Sequence, residues 1–234
     1  MVSIIIPTLN EEKFVSKLLN SIKKQNFNNY EIIVSDAGST DNTINIAKKF
    51  TKNIIVSDKI KHPSHQRNEG AKLAKGDYFL FLDADSVIPN NFISKSITEF
   101  KRRQLACAGY YLKFNSRRII YKFYDKVYKI ICYFSQYYKP LSVGAAIIST
   151  KESHNKINGF DEKILVGEDH DYSRRIKKID KFRMIKSTYF YYSPRRWEKE
   201  GHLLTLYKLF LMSLYMIFKG NIRRKIVEYK FGEH

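Results

Sequence analysis

Phe79-Leu80-Phe81-Leu82-Asp83-Ala84-Asp85 is a strongly apolar run that stops abruptly at two carboxylates one residue apart. The run reads as a buried strand bounded by polar residues. Carboxylates so spaced at a strand's C-terminal end can share one hard divalent cation, which keeps several waters and bridges to substrate phosphates. That is a device for handling a nucleoside diphosphate. Aspartates also close strands for turn chemistry alone, so the neighbouring segments decide between the two readings.

Upstream, Val2-Ser3-Ile4-Ile5-Ile6-Pro7-Thr8 reads as a first strand closed by proline. Asn10 is expected to cap a helix opened by Glu11 and Glu12, with Phe14, Leu18, Leu19 and Ile22 on its apolar face. Tyr30 to Ser35 repeats the pattern and leads into Asp36-Ala37-Gly38-Ser39-Thr40-Asp41-Asn42-Thr43, where Gly38 permits a tight turn and Asp41 can cap a helix running through Lys49. A third unit runs from a short strand at Asn53 to Val56, through a helix over Ser64 to Lys75, to the strand that carries Asp83. Successive strand-helix units imply an α/β fold with a mostly parallel sheet and right-handed crossovers, and ligands then bind beyond the strands' carboxyl ends. Asn10, Asp36 and Asp83 all fall at such ends.

These blocks, Pro7 to Glu12, Asp36 to Thr43, Arg67-Asn68-Glu69-Gly70-Ala71 with Lys75-Gly76-Asp77-Tyr78, and Asp83-Ala84-Asp85, resemble the ordered signature of family 2 glycosyltransferases of the GT-A fold. The resemblance implies an inverting transferase that uses a nucleoside-diphosphate sugar, built on UDP or GDP, with Mn2+ or Mg2+. It implies that Pro7, Thr8, Asn10 and Glu11 line the nucleoside pocket, that Asp36, with Gly38 in its turn, meets the base, and that Arg67 lies near the nucleotide. Asp83 and Asp85 would hold ribose and metal, Asp85 touching the cation directly.

In the second half, Leu141 to Ile148 reads as a small-residue-rich strand, followed by Asn158-Gly159-Phe160-Asp161 and then Gly167-Glu168-Asp169-His170-Asp171-Tyr172. The pairing is similar to the family's G-F-D followed by an E-D loop, which implies Asp169 as the base that deprotonates the acceptor, with Glu168 beside it. Acids in a helix's first turn also complement its dipole, the reading preferred for Asp171. Ser193-Pro194-Arg195-Arg196-Trp197 resembles the Q-x-x-R-W of processive members, with Ser193 where glutamine would stand, which removes the basis for expecting processivity. Arg195 or Arg196 could neutralise the leaving diphosphate through bidentate contacts, and Trp197 could meet the acceptor or pack in a satellite core.

At 234 residues the chain accommodates one substantial domain with an appendage. We divide it into a catalytic region 1–198, with a nucleotide-sugar half 1–102 and an acceptor half 103–198, and a C-terminal segment 199–234. Cys107 and Cys132 show neither metal nor disulfide spacing and read as packing residues of a reducing compartment. The chain enters a core strand at once, without the pattern of a signal peptide, so a cytoplasmic catalytic region is expected.

The net charge of +19 exceeds what nucleotide binding needs. Within a helix expected over about 117–138, Ile120, Phe123, Tyr124, Val127, Ile130, Ile131 and Phe134 share helical spacing, with Lys122, Lys126 and Lys129 on the opposite face. Such a basic aromatic helix suits the headgroup region of an anionic membrane, or packs on the core as an ordinary surface helix. Leu203 to Phe218 is nearly all apolar and is followed by Lys219, Arg223, Arg224 and Lys225. It falls short of the roughly 20 apolar residues that span a bilayer, so it is read as interfacial or, alternatively, as a buried packing helix. Together these segments point to a monotopic enzyme on the cytoplasmic membrane face, acting on a polyprenyl phosphate or lipid-linked glycan. A soluble or protein-linked glycan is the alternative acceptor. A basic, aromatic chain could also bind nucleic acid, but no RNA- or DNA-reading motif is present. A sugar nucleotidyltransferase would need a glycine-rich basic loop that is missing after Ile6.

Overall fold

The computed structural model describes residues 1–142, 144–218 and 221–223. Its strands are β1 (Val2–Thr8), β2 (Tyr30–Asp36), β3 (Ile54–Val56), β4 (Tyr78–Leu82), β5 (Cys107–Phe114), β6 (Ala146–Thr150) and β7 (Phe182–Tyr192). They form a single sheet in the order β3-β2-β1-β4-β6-β5-β7. Neighbours pair in parallel except β6, which runs antiparallel to both β4 and β5.

Consecutive apolar residues in the central strands require cover on both faces. The period-two alternation then sorts them. Ile4, Ile6, Leu80 and Leu82 join one core cluster, which includes Leu18, Leu19 and Ile22 of helix α1 (Val15–Lys23) and Phe92 and Ile93 of α4 (Phe92–Arg102). Ile5, Phe79 and Phe81 join the other, with Ala71 of α3 (Pro63–Leu73) and Tyr172 and Ile176 of α7 (Glu168–Ile179). The remaining helices are α2 (Thr43–Lys48), α5 (Ile119–Tyr138), α6 (Lys151–Lys156), α8 (Arg195–Glu200) and α9 (His202–Phe218).

Several boundaries differ from the sequence expectation. Asn10 does not cap a helix: it has φ +53, and α1 begins only at Val15. The reason is tertiary. The backbone N–H groups of Asn10, Glu11 and Glu12 donate to Ser39 Oγ, Thr43 Oγ1 and Asp41 Oδ2, which holds residues 10–12 against the turn after β2. Asp41 lies one position before the N-cap of α2 but still closes its first turn, accepting from the Thr43 N–H at 2.9 Å. The strand expected from Leu141 begins only at Ala146, and Val143 lies outside the described residues. So do Lys219, Arg224 and Lys225, whereas Arg223 is described and pairs with Asp161 at 2.6 Å. Among the described residues no helix is long and apolar enough to cross a membrane.

The face that carries α7 is closed by an aromatic cluster in which Phe160 stacks on Tyr172 at 4.1 Å and His154 lies 5.8 Å from Phe81. Burial, aided by the nearby Arg175 charge, pulls the His154 imidazole down from its ordinary 6.5 to about 4. Between those values the unfolded chain binds a proton that the folded chain refuses, so acid favours unfolding. Urea-unfolding stability should therefore fall as pH drops from about 6.5 towards 4, and His154→Gln should flatten that part of the profile relative to the wild type. An identical slope in both proteins would show that His154 is not the group responsible.

Candidate active site

Parallel strands end together, and here they bring Thr8, Asp36 and Asp83 to one edge. The register pairs Thr8 with Asp36 and Ile5 with Phe81. Because β6 runs the other way, its start arrives at the same edge, and the Asp83 N–H donates to the Ala145 carbonyl at 3.2 Å.

Asp36 is fully buried. Its carboxylate accepts from Thr8 Oγ1 at 2.7 Å, from the N–H groups of Gly38 and Ser39 at 2.9 and 2.6 Å, and from Ser39 Oγ at 2.6 Å. Gly38, at φ +84, has the left-handed backbone that this turn needs, and a Cβ there would sit 2.9 Å from Asp58 Cβ. Both Asp36 oxygens thus organise the turn, and a contact to a base requires one of these bonds to be exchanged.

Arg67 is the largest charged group in the interior, at 2% exposure. From α3 it donates through Nη1 to Glu168 at 2.9 Å, and through Nη2 to Asp83 at 2.7 Å and to the Gly144 carbonyl at 3.3 Å, while its plane lies over Phe160. Burial by itself would ease its proton off, yet the two carboxylates outweigh burial and its pKa moves up. This guanidinium pins the first D-x-D aspartate to the first residue of α7.

Asp169 follows Glu168 in the first turn of α7, entered through Gly167 at φ +83. Its Oδ2 accepts from the Gly144 N–H at 2.5 Å and its Oδ1 from the His170 N–H at 2.7 Å. Sequence reasoning did not single out Gly144. A Cβ at that position would stand 2.9 Å from Arg67 Nη2 and 3.2 Å from Asp169 Oδ2, so only glycine lets the loop approach both. The signal was present in the small-residue run before β6, but its partners lie in distant segments. Asp171 turns away to pair with Arg175 at 2.6 Å.

The Asp85 side chain, 9% exposed, lies beside Asp83 and Glu11. Burial pushes its carboxyl up to about 7; Arg195 opposes that shift, and the Asp83 and Glu11 charges add to it. Among the described residues no three His, Cys, Asp or Glu side chains form a metal cage. A hard divalent ion that takes its other ligands from water and phosphate needs only one or two carboxylates, and an Asp85 crowded by like charge is a place where such an ion relieves repulsion. The donor set therefore fits Mg2+ or Mn2+. Arg195 forks Glu11 at 2.9 and 3.0 Å and reaches Asp85 at 3.1 Å. Trp197 is buried, edge-on to Phe114 at 5.6 Å and against Tyr124 at 4.7 Å. A cleft of about 620 Å3 takes in Pro7, Thr8, Glu11, Arg196 and Trp197 together with Asp83, Asp85, Glu168 and Asp169.

The model of the family described as "Glycosyl transferase family 2" matches residues 3–153. The chain belongs to this family. A relative in Methanococcus voltae, a dolichyl N-acetyl-alpha-D-glucosaminyl phosphate 3-beta-D-2,3-diacetamido-2,3-dideoxy-beta-D-glucuronosyltransferase, is 29% identical over 206 residues, covering 76% of this chain and 61% of that protein. The family 2 chain thus spans less than two thirds of that relative. Staphylococcus aureus TarS in complex with UDP superimposes with a TM-score of 0.66 at 22% identity, over 88% of this chain and 64% of that one. Mannosyltransferase PcManGT from Pyrobaculum calidifontis, in complex with GDP-Man and Mn2+, gives 0.64 at 18% identity, over 79% and 54%. At these identities the likeness is one of fold, a GT-A-like α/β sheet with flanking helices.

Within this family 2 fold, the Asp83–Arg67–Glu168 triad joins the end of β4 to the start of α7. Removing the cation leaves two partly buried carboxylates facing each other, a change that costs about 3–5 kcal/mol when one partner of a buried pair is deleted. Arg67→Met should therefore lower the urea-unfolding free energy by that order, with Arg67→Lys in between because an ammonium cannot fork to both acids. A loss below about 1 kcal/mol, the scale of an exposed pair, would show that the triad is a surface contact in energetic terms.

Proposed function

We propose that this chain is an inverting, metal-dependent glycosyltransferase that moves a sugar from a UDP- or GDP-sugar to an acceptor at a membrane surface, a polyprenyl phosphate or a lipid-linked glycan. One observation carries the reading: the cleft that holds Asp83, Asp85 and Asp169 continues along an apolar wall from α5 and α9, including Val127, Ile131, Leu209 and Phe210. A sugar nucleotide suits one end and a lipid carrier the other.

The chemistry follows from the placement. Pro7, Thr8 and Glu11 line the nucleoside end, and Asp83 and Asp85 would hold the cation, which supplies positive charge to the departing diphosphate. For a glycan acceptor, Asp169 accepts the hydroxyl proton as that oxygen bonds to the anomeric carbon; a polyprenyl phosphate, already ionised, attacks through its phosphate oxygen without that proton transfer. The bond to the diphosphate breaks on the opposite side and its electron pair leaves with the diphosphate, inverting the centre in one step. The two N–H groups on Asp169 fix its direction, and Arg196 lines the cleft within the basic segment that can meet the leaving charge. Donor binding should be visible as thermal stabilisation by UDP or GDP with Mn2+. Asp85→Asn should abolish the metal-dependent part, while Asp169→Asn should keep it and lose about 10²–10⁴-fold in turnover. Metal-stimulated transfer at wild-type rate by Asp85→Asn would refute the metal assignment.

The membrane side rests on which face of α5 is free. Tyr121, Cys132 and Gln136 are its buried residues and Tyr124 packs on Trp197, but the rest of the apolar stripe is open: Ile120, Phe123, Ile130 and Phe134 are 40, 59, 59 and 62% exposed. An ordinary surface helix would turn that stripe inward. Leu203, Tyr207 and Phe210 of α9 are also exposed. Lys122, Lys126 and Lys129 are exposed beside the stripe, placed to snorkel towards lipid phosphates. Each lysine should add about 1 kcal/mol of salt-sensitive attraction to anionic lipid. Lys122→Glu/Lys126→Glu/Lys129→Glu should therefore weaken co-sedimentation with anionic vesicles and flatten its salt dependence. A wild-type chain that ignores such vesicles at low salt would overturn the membrane placement.

A further inference from the structure

Arg195 precedes the Arg196-Trp197 pair that resembles the family motif, and it holds a position the motif leaves open. Yet its guanidinium stands between the D-x-D segment and the β1 loop. Two nitrogens fork Glu11 at 2.9 and 3.0 Å, Nε stands 3.1 Å from Asp85 Oδ2, and the group lies over the Phe14 ring at 4.6 Å. Four carboxylates, Glu11, Asp83, Asp85 and Glu168, meet there against two guanidiniums, Arg67 and Arg195. Arg67 is buried in its triad, whereas Arg195 sits at the cleft wall on a short helix.

We propose that Arg195 is an internal counter-cation that occupies the cation seat at Asp85 in the unliganded chain, and that a divalent ion displaces it only when a nucleoside diphosphate offers the guanidinium a new partner. This rests on the reading of Asp85 as a cation ligand. A charge fixed by the chain at hydrogen-bonding distance is a strong competitor, so a divalent ion alone meets a filled seat. A diphosphate removes the competition, because a forked guanidinium matches phosphate as well as carboxylate. Metal and nucleotide then each raise the other's affinity, as reciprocity demands.

The displacement also has somewhere to go. Arg195 begins α8, and Trp197 on that helix packs on Tyr124 of α5. Glu200 at its end pairs with Lys208 of α9 at 2.7 Å. Gly201, which joins the two helices at φ +85, has open space where a Cβ would stand. Release of Asp85 thus acts on the segment that anchors both helices of the apolar wall.

Calorimetric titration of the full chain with Mn2+, in the presence and absence of UDP or GDP, tests the assignment. Without nucleotide, Arg195→Gln should bind Mn2+ at least about fivefold more tightly than wild type, the lower end of ordinary coupling. With nucleotide the order should reverse, because the variant has no guanidinium to give the diphosphate. Arg195→Lys, which keeps the charge but cannot fork, should fall between and guards against a folding defect in the glutamine variant. Mn2+ affinity without nucleotide that is equal to or weaker than wild type in both variants overturns the counter-cation role while leaving the cation site standing. Absence of Mn2+ binding to every protein, even with nucleotide, overturns the cation site and this inference together.

Discussion

A guanidinium with almost no access to water needs its charge answered locally, and in this chain the answer comes from both ends of the site. Arg67 takes Asp83 from the end of β4 and Glu168 from the start of α7, with the Gly144 carbonyl as a third acceptor. A buried ion pair is weak evidence for net stability, because desolvation offsets much of the attraction. Its value here is geometric. A rigid fork with two acids fixes the distance between a D-x-D aspartate and the helix that carries Asp169, and loosening either end leaves an unanswered charge.

The antiparallel strand β6 makes that geometry available. In a purely parallel sheet the residues before β6 would lie at the far edge, away from the strand ends that gather Thr8, Asp36 and Asp83. Reversal of this one strand delivers Gly144 to the functional edge, where its N–H aims Asp169 and its missing side chain leaves room for Arg67. Around this centre, Asn68 and His65 of α3 bind Glu162 at 2.8 and 2.9 Å, so the segment leading to α7 is tied to α3 as well.

The surface beyond the acids has a different character. Polar donors and acids give way along one cleft to aliphatic and aromatic side chains from α5 and α9, and those helices continue the apolar surface outward with lysines alongside. The chain, at net charge +19, thus lines one cleft with a polar, acid-rich end and an apolar end.

What the sequence determined by itself was the order of strands and helices to β4, the convergence of strand ends and the membership of the family, because apolar periodicity and turn residues are local and four motif blocks stood in order. It also marked Cys107 and Cys132 as packing residues, and both are buried and free. Partnerships across long sequence separations were decided only by the tertiary structure. Arg67 meets Glu168 101 residues away and Arg195 meets Glu11 184 residues away, and no periodicity records such pairs. Asn10 looked like a helix cap until hydrogen bonds from the turn after β2 claimed the backbone around it. The apolar stripe of α5 was legible as a stripe, but whether it faced the core or the solvent depended on how β5 and β7 placed that helix. Local spacing fixes which residues share a face, whereas burial and charge pairing depend on what the rest of the chain brings opposite.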